Sequence, residues 1–270
     1  MPFTVSHIAA VLPLYKPLSR LGLFSAAAIG AMTPDLDVIL PISLTREETH
    51  GHLALLTFCL PVGLATWAVF QALIKPALIE VLPNRVYVQL CAEHLGPRLV
   101  RMKVWFYAAL AVLFGALTHL ILDGFTHEDG RGARMLLAFG ESGPEAGGAP
   151  SRLYRWLQHG SSVFGLVVVF IALWLWVRHA RRPNPPPERH LAARERHRWV
   201  AVYILIPVLL VAAAAAQIHH HGWPRLYSTA ALTQLALTGI NGAALAFVFT
   251  SALIRRRLLI LGTRHRWPNA

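Results

Sequence analysis

The chain has 270 residues, 55% of them hydrophobic and only 14% charged, with a mean hydropathy of +0.49. A soluble domain averages about 25% charged residues, so this chain cannot clothe a water-facing surface. Its apolar residues come in long blocks, which makes lipid its solvent. The formal net charge of +12 excludes little by itself. Its arginines, however, cluster between the apolar blocks, as in cytoplasmic loops, whereas a nucleic-acid surface interleaves aromatics with basic residues on a polar domain.

In chain order, the first elements are two short apolar segments, Val5–Leu14 and Leu21–Met32, separated by Tyr15–Arg20. Neither spans a bilayer alone. A partly re-entrant helical hairpin is predicted, returning Met32 to the side on which His7 begins. Met1–Lys16 has no basic residue ahead of its apolar stretch, so it is expected to be retained rather than cleaved as a secretory signal. Five long apolar runs follow, Leu53–Ile74, Val104–Leu122, Ser162–Val177, Trp199–Ala216 and Ala231–Ile254. Each is near the length of about 20 residues that crosses a bilayer. The third ends in Trp174-Leu-Trp176, an interfacial anchor. The predicted fold is all-α, a polytopic transmembrane helical bundle with five long helices plus the short N-terminal hairpin.

Loop charge sets the orientation. Lys75 to Lys103, Arg178 to Arg198 and the tail Arg255 to Arg266 carry most of the basic residues and alternate correctly to share the cytoplasmic side. The longer segment Gly124–Gly160 opposes them, with its arginines offset by Glu128, Asp129, Glu141 and Glu145. Gly140–Pro150 reads as a surface loop. Pro183-Asn-Pro-Pro-Pro187 is a stiff stretch inside the most basic loop. The predicted organisation is a membrane-embedded domain over 1–180, a basic Pro-rich loop over 181–198, and a helix pair with a basic tail over 199–270.

This topology gathers the polar residues on one membrane face. His7 opens the hairpin; Asp35 and Asp37 follow it in Pro34-Asp-Leu-Asp37; His50 and His52 precede the first long helix. His119, Asp123 and His127 close the second, and His159 precedes the third. His119 and Asp123 are spaced i,i+4 and point the same way from one helix. Asp35 and Asp37 would diverge on a helix, but an extended turn after Pro34 would aim both at one ion. Imidazole with carboxylate suits zinc, manganese or iron(II). The absence of cysteine argues against a closed structural zinc site, and such a site keeps a position for water.

Blander readings exist for each residue. A single His near a helix end is usually interfacial or core, and an Asp after a helix often caps the next one. Against that, an ionisable group inside an apolar run costs about 2.5–3.5 kcal/mol at mid-bilayer and marks function by default. Elsewhere, His219-His-His221 reads as a solvated loop. His94, His179, His190, His197 and His265 read as solvated or as headgroup contacts. Ser161-Ser162 reads as a helix N-cap. Cys59 and Cys91 sit in no metal or disulfide spacing. No serine-hydrolase elbow or nucleotide loop is present.

Several blocks together resemble a known bacterial family. They are Met1-Pro-Phe-Thr-Val-Ser-His7 with Ala9-Ala-Val-Leu-Pro13, Met32-Thr-Pro-Asp35-Leu-Asp37, Thr49-His50, Gly115-Ala-Leu-Thr-His119 with Asp123, Phe125-Thr-His127, and Leu153-Tyr-Arg-Trp-Leu-Gln158-His159-Gly-Ser-Ser162. In this order they resemble the family called domain of unknown function 4184, over roughly residues 1–180. That family is distantly similar to inner-membrane proteins described as membrane-bound metal-dependent hydrolases. The resemblance implies a site of His7, Asp35, Asp37, His50, His119 and Asp123, with Thr126 matching a Thr that often follows. His127 and His159 match the closer family only, and His52 has no counterpart.

The function expected is a metal-dependent hydrolase in a bacterial inner membrane, with its C-terminus cytoplasmic and its polar site outside. A divalent ion, zinc first, would be held by His7, Asp35, Asp37, His50, His119, Asp123, His127 and His159. Asp35 or Asp37 would act as the catalytic base. The partners expected are membrane lipids and a lipid or lipid-linked ester substrate, with no nucleic acid. The alternatives are a non-enzymatic metal carrier or assembly factor, and a purely structural polar knot. A carrier wants ionisable groups at mid-helix, and the last two runs offer only Gln217, Gln234 and Asn241.

Overall fold

The computed structural model describes residues 4–40, 44–92, 99, 101–126, 132, 150–179, 189–220 and 229–261. Among these, every element is helical. A 3-10 helix, Thr4–Leu14, leads into α1 (Tyr15–Arg20) and α2 (Phe24–Gly30), followed by a second 3-10 helix, Thr33–Ile39. Then come α3 (Arg46–His50), α4 (Leu55–Val81), α5 (Asn84–Ala92), α6 (Met102–Thr126), α7 (Pro150–Arg178), α8 (Ala193–His220) and α9 (Thr229–Ile260). Five helices, α4 and α6 to α9, are long and apolar enough to cross a membrane. The five predicted spans and the N-terminal hairpin are therefore all present.

Two boundaries differ from expectation. The third span begins at Pro150, not Ser162. Gly160 does not break it, and the Ser161 and Ser162 hydroxyls donate back to the Gln158 carbonyl at 3.2 and 2.6 Å, as interior helix residues do. They are not caps. His219 and His220 close α8 rather than forming a loop. The polyproline stretch 183–187, residues 140–149, and His94, His221 and His265 lie outside the described residues.

The chain divides into two compact units. The first comprises Met1–Asp37, Ile42–Trp67 and Gly96–His179. Its hairpin is closed by Gly22, whose φ of 69° only glycine adopts freely. The Gly22 and Leu23 amides donate to the Ser19 and Leu18 carbonyls, which caps α1 and reverses the chain. α2 then packs on α6 backbone to backbone. A Cβ at Gly30 would sit 2.2 Å from the Val112 carbonyl oxygen, and one at Gly115 would sit 2.1 Å from that of Ala27. The buried stripe Ala108, Ala111, Val112, Gly115, Ala116, His119, Asp123 and Thr126 is the face of α6 that receives this contact. It starts small and apolar and ends polar.

The second unit comprises Val38–Pro41, Ala68–Leu95 and Ala180–Ala270. Its core is Ala77, Leu191, Tyr203, Ile254 and Leu258. α8 and α9 run antiparallel, joined across by Tyr203 Oη and Ser251 Oγ at 2.8 Å and by Arg257 and Glu195 at 3.2 Å. Glu80, fully buried, accepts from His190 Nδ1 at 2.9 Å and from the His190 and Leu191 amides. Arg189 donates to the Glu80 and Leu82 carbonyls and lies 4.1 Å over the Tyr87 ring. His190 is thus a structural partner and not a solvated side chain. Replacing Glu80 with alanine strands two buried amides and should cost about 1–3 kcal/mol. Glu80→Gln, which keeps an acceptor, should lose less. Thermal melts of the two variants check this, and an alanine variant as stable as the parent contradicts it.

Candidate metal centre

Five of the predicted residues converge. His7 comes from the first 3-10 helix, Asp35 from the second, His50 from the end of α3, and His119 and Asp123 from α6. All belong to the first unit. The relative accessibility of the five side chains is between 0 and 7%. Two overlapping triads, His7–His119–Asp123 and Asp35–His50–His119, each bring ligand atoms within 4.8 Å of one another.

The finer geometry is informative. His50 Nε2 is 3.4 Å from Asp35 Oδ1 and 3.6 Å from Asp123 Oδ2. His119 Nε2 is 3.7 Å from each of the same two oxygens. N–H···O hydrogen bonds fall at about 2.7–3.2 Å, so these separations are too long. They approach the edge of a tetrahedron built on bonds of about 2.0–2.2 Å, which is roughly 3.3–3.6 Å. Each of the two nitrogens therefore stands about one ligand edge from both oxygens. His7 Nε2 stands 3.8 Å from the other oxygen of Asp123, its ring stacked 3.8 Å from that of His119.

The surroundings orient these ligands. The Ala31 carbonyl lies 2.8 Å from His119 Nδ1. It can only accept, so Nδ1 carries the proton and Nε2 offers its lone pair to the centre. The α2–α6 contact places that carbonyl. For His50, the Thr49 hydroxyl is 2.7 Å from Nδ1 and 3.4–3.5 Å from the Thr45 and Arg46 carbonyls. That short contact engages Nδ1 and leaves Nε2 on the carboxylate side. Both Nε2 atoms are buried without a hydrogen bond among the described residues. A lone pair left without a donor is costly unless a cation takes it.

The carboxylates are held from outside. Thr4 Oγ1 donates to Asp35 Oδ2 at 2.8 Å, leaving Oδ1 for the centre. Burial alone would raise the Asp35 carboxyl. The adjacent His50 and His119 imidazoles and the Thr4 hydroxyl outweigh that and hold it below its ordinary value. Arg46 Nη2 lies 3.1 Å from Asp123 Oδ2 with half of its side chain exposed. It is the exposed basic group at the rim. α3 is held in place by a capping box, Thr45 with Glu48, whose hydroxyl, amide and carboxylate are mutually bonded.

The other predicted residues lie elsewhere. Asp37 is outside both triads. The segment after Pro34 is a 3-10 helix, not the extended turn expected. At three residues per turn, positions two apart face about 240° apart. His159 is exposed on α7 and joins neither triad, and His52 is exposed. His127 lies outside the described residues. Sequence reasoning passed over Thr4, Arg46 and the Ala31 carbonyl. Thr4 belongs to the quoted Met1–His7 block and Arg46 lies just ahead of Thr49-His50, while a backbone carbonyl leaves no trace in composition.

No curated protein and no solved structure matches the chain. A family model does match, over residues 1–252, well past the 180 or so residues of the resemblance and across every residue of the centre. The chain belongs to the family described as domain of unknown function DUF4184.

Proposed function

We propose that this protein is a membrane-bound metal-dependent hydrolase acting on a lipid or lipid-linked phosphoester. His50, His119, Asp35 and Asp123 would hold a divalent ion, zinc by its preference for imidazole and carboxylate, with His7 beside them. When bound, such an ion acts as a Lewis acid and makes water reactive at neutral pH. The observation that carries this reading is the set of four N···O separations of 3.4–3.7 Å among buried side chains.

The chain's own residues do the rest. Ala31 fixes the His119 tautomer, Thr49 holds the His50 ring by Nδ1, and Thr4 fixes the Asp35 rotamer, so that the ligands are preorganised. Asp35 would hold the ion through Oδ1 while Thr4 holds its Oδ2; Asp37 belongs to neither triad. Arg46 offers a half-exposed guanidinium suited to two phosphate oxygens. A phosphoester would draw it from Asp123. The rival reading, a structural knot, wants hydrogen bonds where the separations are too long for them.

The test is metal content. Full-length protein purified in detergent should carry about one zinc or similar ion per chain by inductively coupled plasma mass spectrometry. Chelation should remove it, zinc should restore it, and uptake should weaken as the buffer is acidified, because a protonated imidazole has no lone pair to give. Hydrolysis of a phospholipid panel in mixed micelles should follow the metal. Protein that takes up no ion under any loading condition sinks the proposal.

A further inference from the structure

A cavity of about 330 Å³ opens beside the centre, within the first unit. It is walled by the Thr4–Leu14 3-10 helix, α6 and α7. His7 belongs to both cavity and centre. Its walls have a direction. Ser6 and His7 precede Ala10 on the 3-10 helix, Thr126 lies one turn beyond Leu122 on α6, and Ser161 precedes Val168 on α7. On α6 and α7, moving from Thr126 and Ser161 into the spans takes the wall from polar to apolar, and the 3-10 helix goes the same way from Ser6 and His7 to Ala10. Gly165 lets the 3-10 helix approach α7 closely, since a Cβ there would lie 2.7 Å from the Ser6 carbonyl oxygen.

The solvent beside the apolar end is hydrocarbon. α6 and α7 are two of the five spans, and Ile121, Phe164 and Val167 on them are exposed. An apolar slot at that depth does not hold water, which needs two to four polar partners. The volume is near the lower limit of about 300 Å³ for ligand pockets. At about 30 Å³ for a water-sized group, it admits roughly ten such groups. That suits one chain, not a head group with two.

We propose that this slot receives one alkyl chain of a bilayer lipid, with the chain entering between α6 and α7 and the head group lying at His7. That this lipid is the substrate rests on the hydrolase reading above. That the chain binds does not.

The experiment is photolabelling. Full-length protein in phosphatidylglycerol vesicles is irradiated with a phosphatidylglycerol carrying a diazirine midway along one acyl chain, and adducts are mapped by mass spectrometry. Ala10 and Val168 should label well above Ile121 and Val167, the exposed residues next in the chain to the lining positions Leu122 and Val168. Ala10→Leu fills the slot and should lower labelling of Val168 about tenfold while leaving Ile121 and Val167 unchanged. Val168→Trp, read at Ala10, is the second variant if the first does not fold. Equal labelling of all four positions, or labelling that survives both fillings, overturns the proposal. Metal content is measured on the same samples. Slot labelling in protein that binds no ion upholds the slot and removes the hydrolase reading; metal without slot labelling does the reverse.

Discussion

Replacing His119 with alanine should abolish metal retention while leaving the protein inserted in the membrane. His119 is fully buried and its Nε2 serves both triads. Loss of an outer partner such as Thr49 typically costs 10–100-fold in affinity, so loss of the shared ligand should exceed about 100-fold. Insertion should survive because the change removes a polar group from a span. Asp123→Ala should behave likewise, with one addition: it frees Arg46, now beside a site that has lost one of its two carboxylates. The measurement is metal-to-protein ratio after dialysis, beside a thermal melt. If the cluster were only a structural knot, the melt would fall while the metal signal of the parent was already zero. A His119→Ala variant with the parent's metal ratio refutes the ligand assignment outright.

What could be read from the sequence follows from the strength of each constraint. Hydrocarbon demands about 20 apolar residues per span, so the spans were legible. The site was legible where burial made polarity conspicuous: His119 and Asp123 interrupt an apolar run, and His7 opens one. Asp37 was misplaced because a two-residue spacing says nothing about whether the backbone is extended or 3-10 there. Ser161 and Ser162 looked like a cap because a glycine preceded them, yet mid-span serines satisfy their hydroxyls on the turn before. The Glu80–His190 contact was illegible for another reason. Its partners are 110 residues apart, and His190 sits among arginines that read as a solvated face.

The contact between α2 and α6 supports the second large prediction, that Gly115→Ala should cost both folded protein and metal. Its new Cβ would lie 2.1 Å from the Ala27 carbonyl oxygen and 2.6 Å from the Ala31 amide nitrogen. Both are backbone atoms, so no rotamer change relieves the overlap and α2 must move. Overpacking of this kind costs about 3 kcal/mol or more when backbone has to shift. Ala31 moves with α2, and its carbonyl is what holds His119 Nδ1 at 2.8 Å. The metal site should therefore loosen even in the fraction that folds. Gly124→Ala is the control on the same helix, one residue from Asp123. A Cβ there meets nothing within 4 Å, and alanine in place of glycine favours a helix by about 1 kcal/mol. That variant should melt no lower than the parent and keep its metal ratio. If Gly115→Ala matches it in both, backbone packing of α2 on α6 is not what positions the imidazole, and the tautomer argument for His119 loses its support.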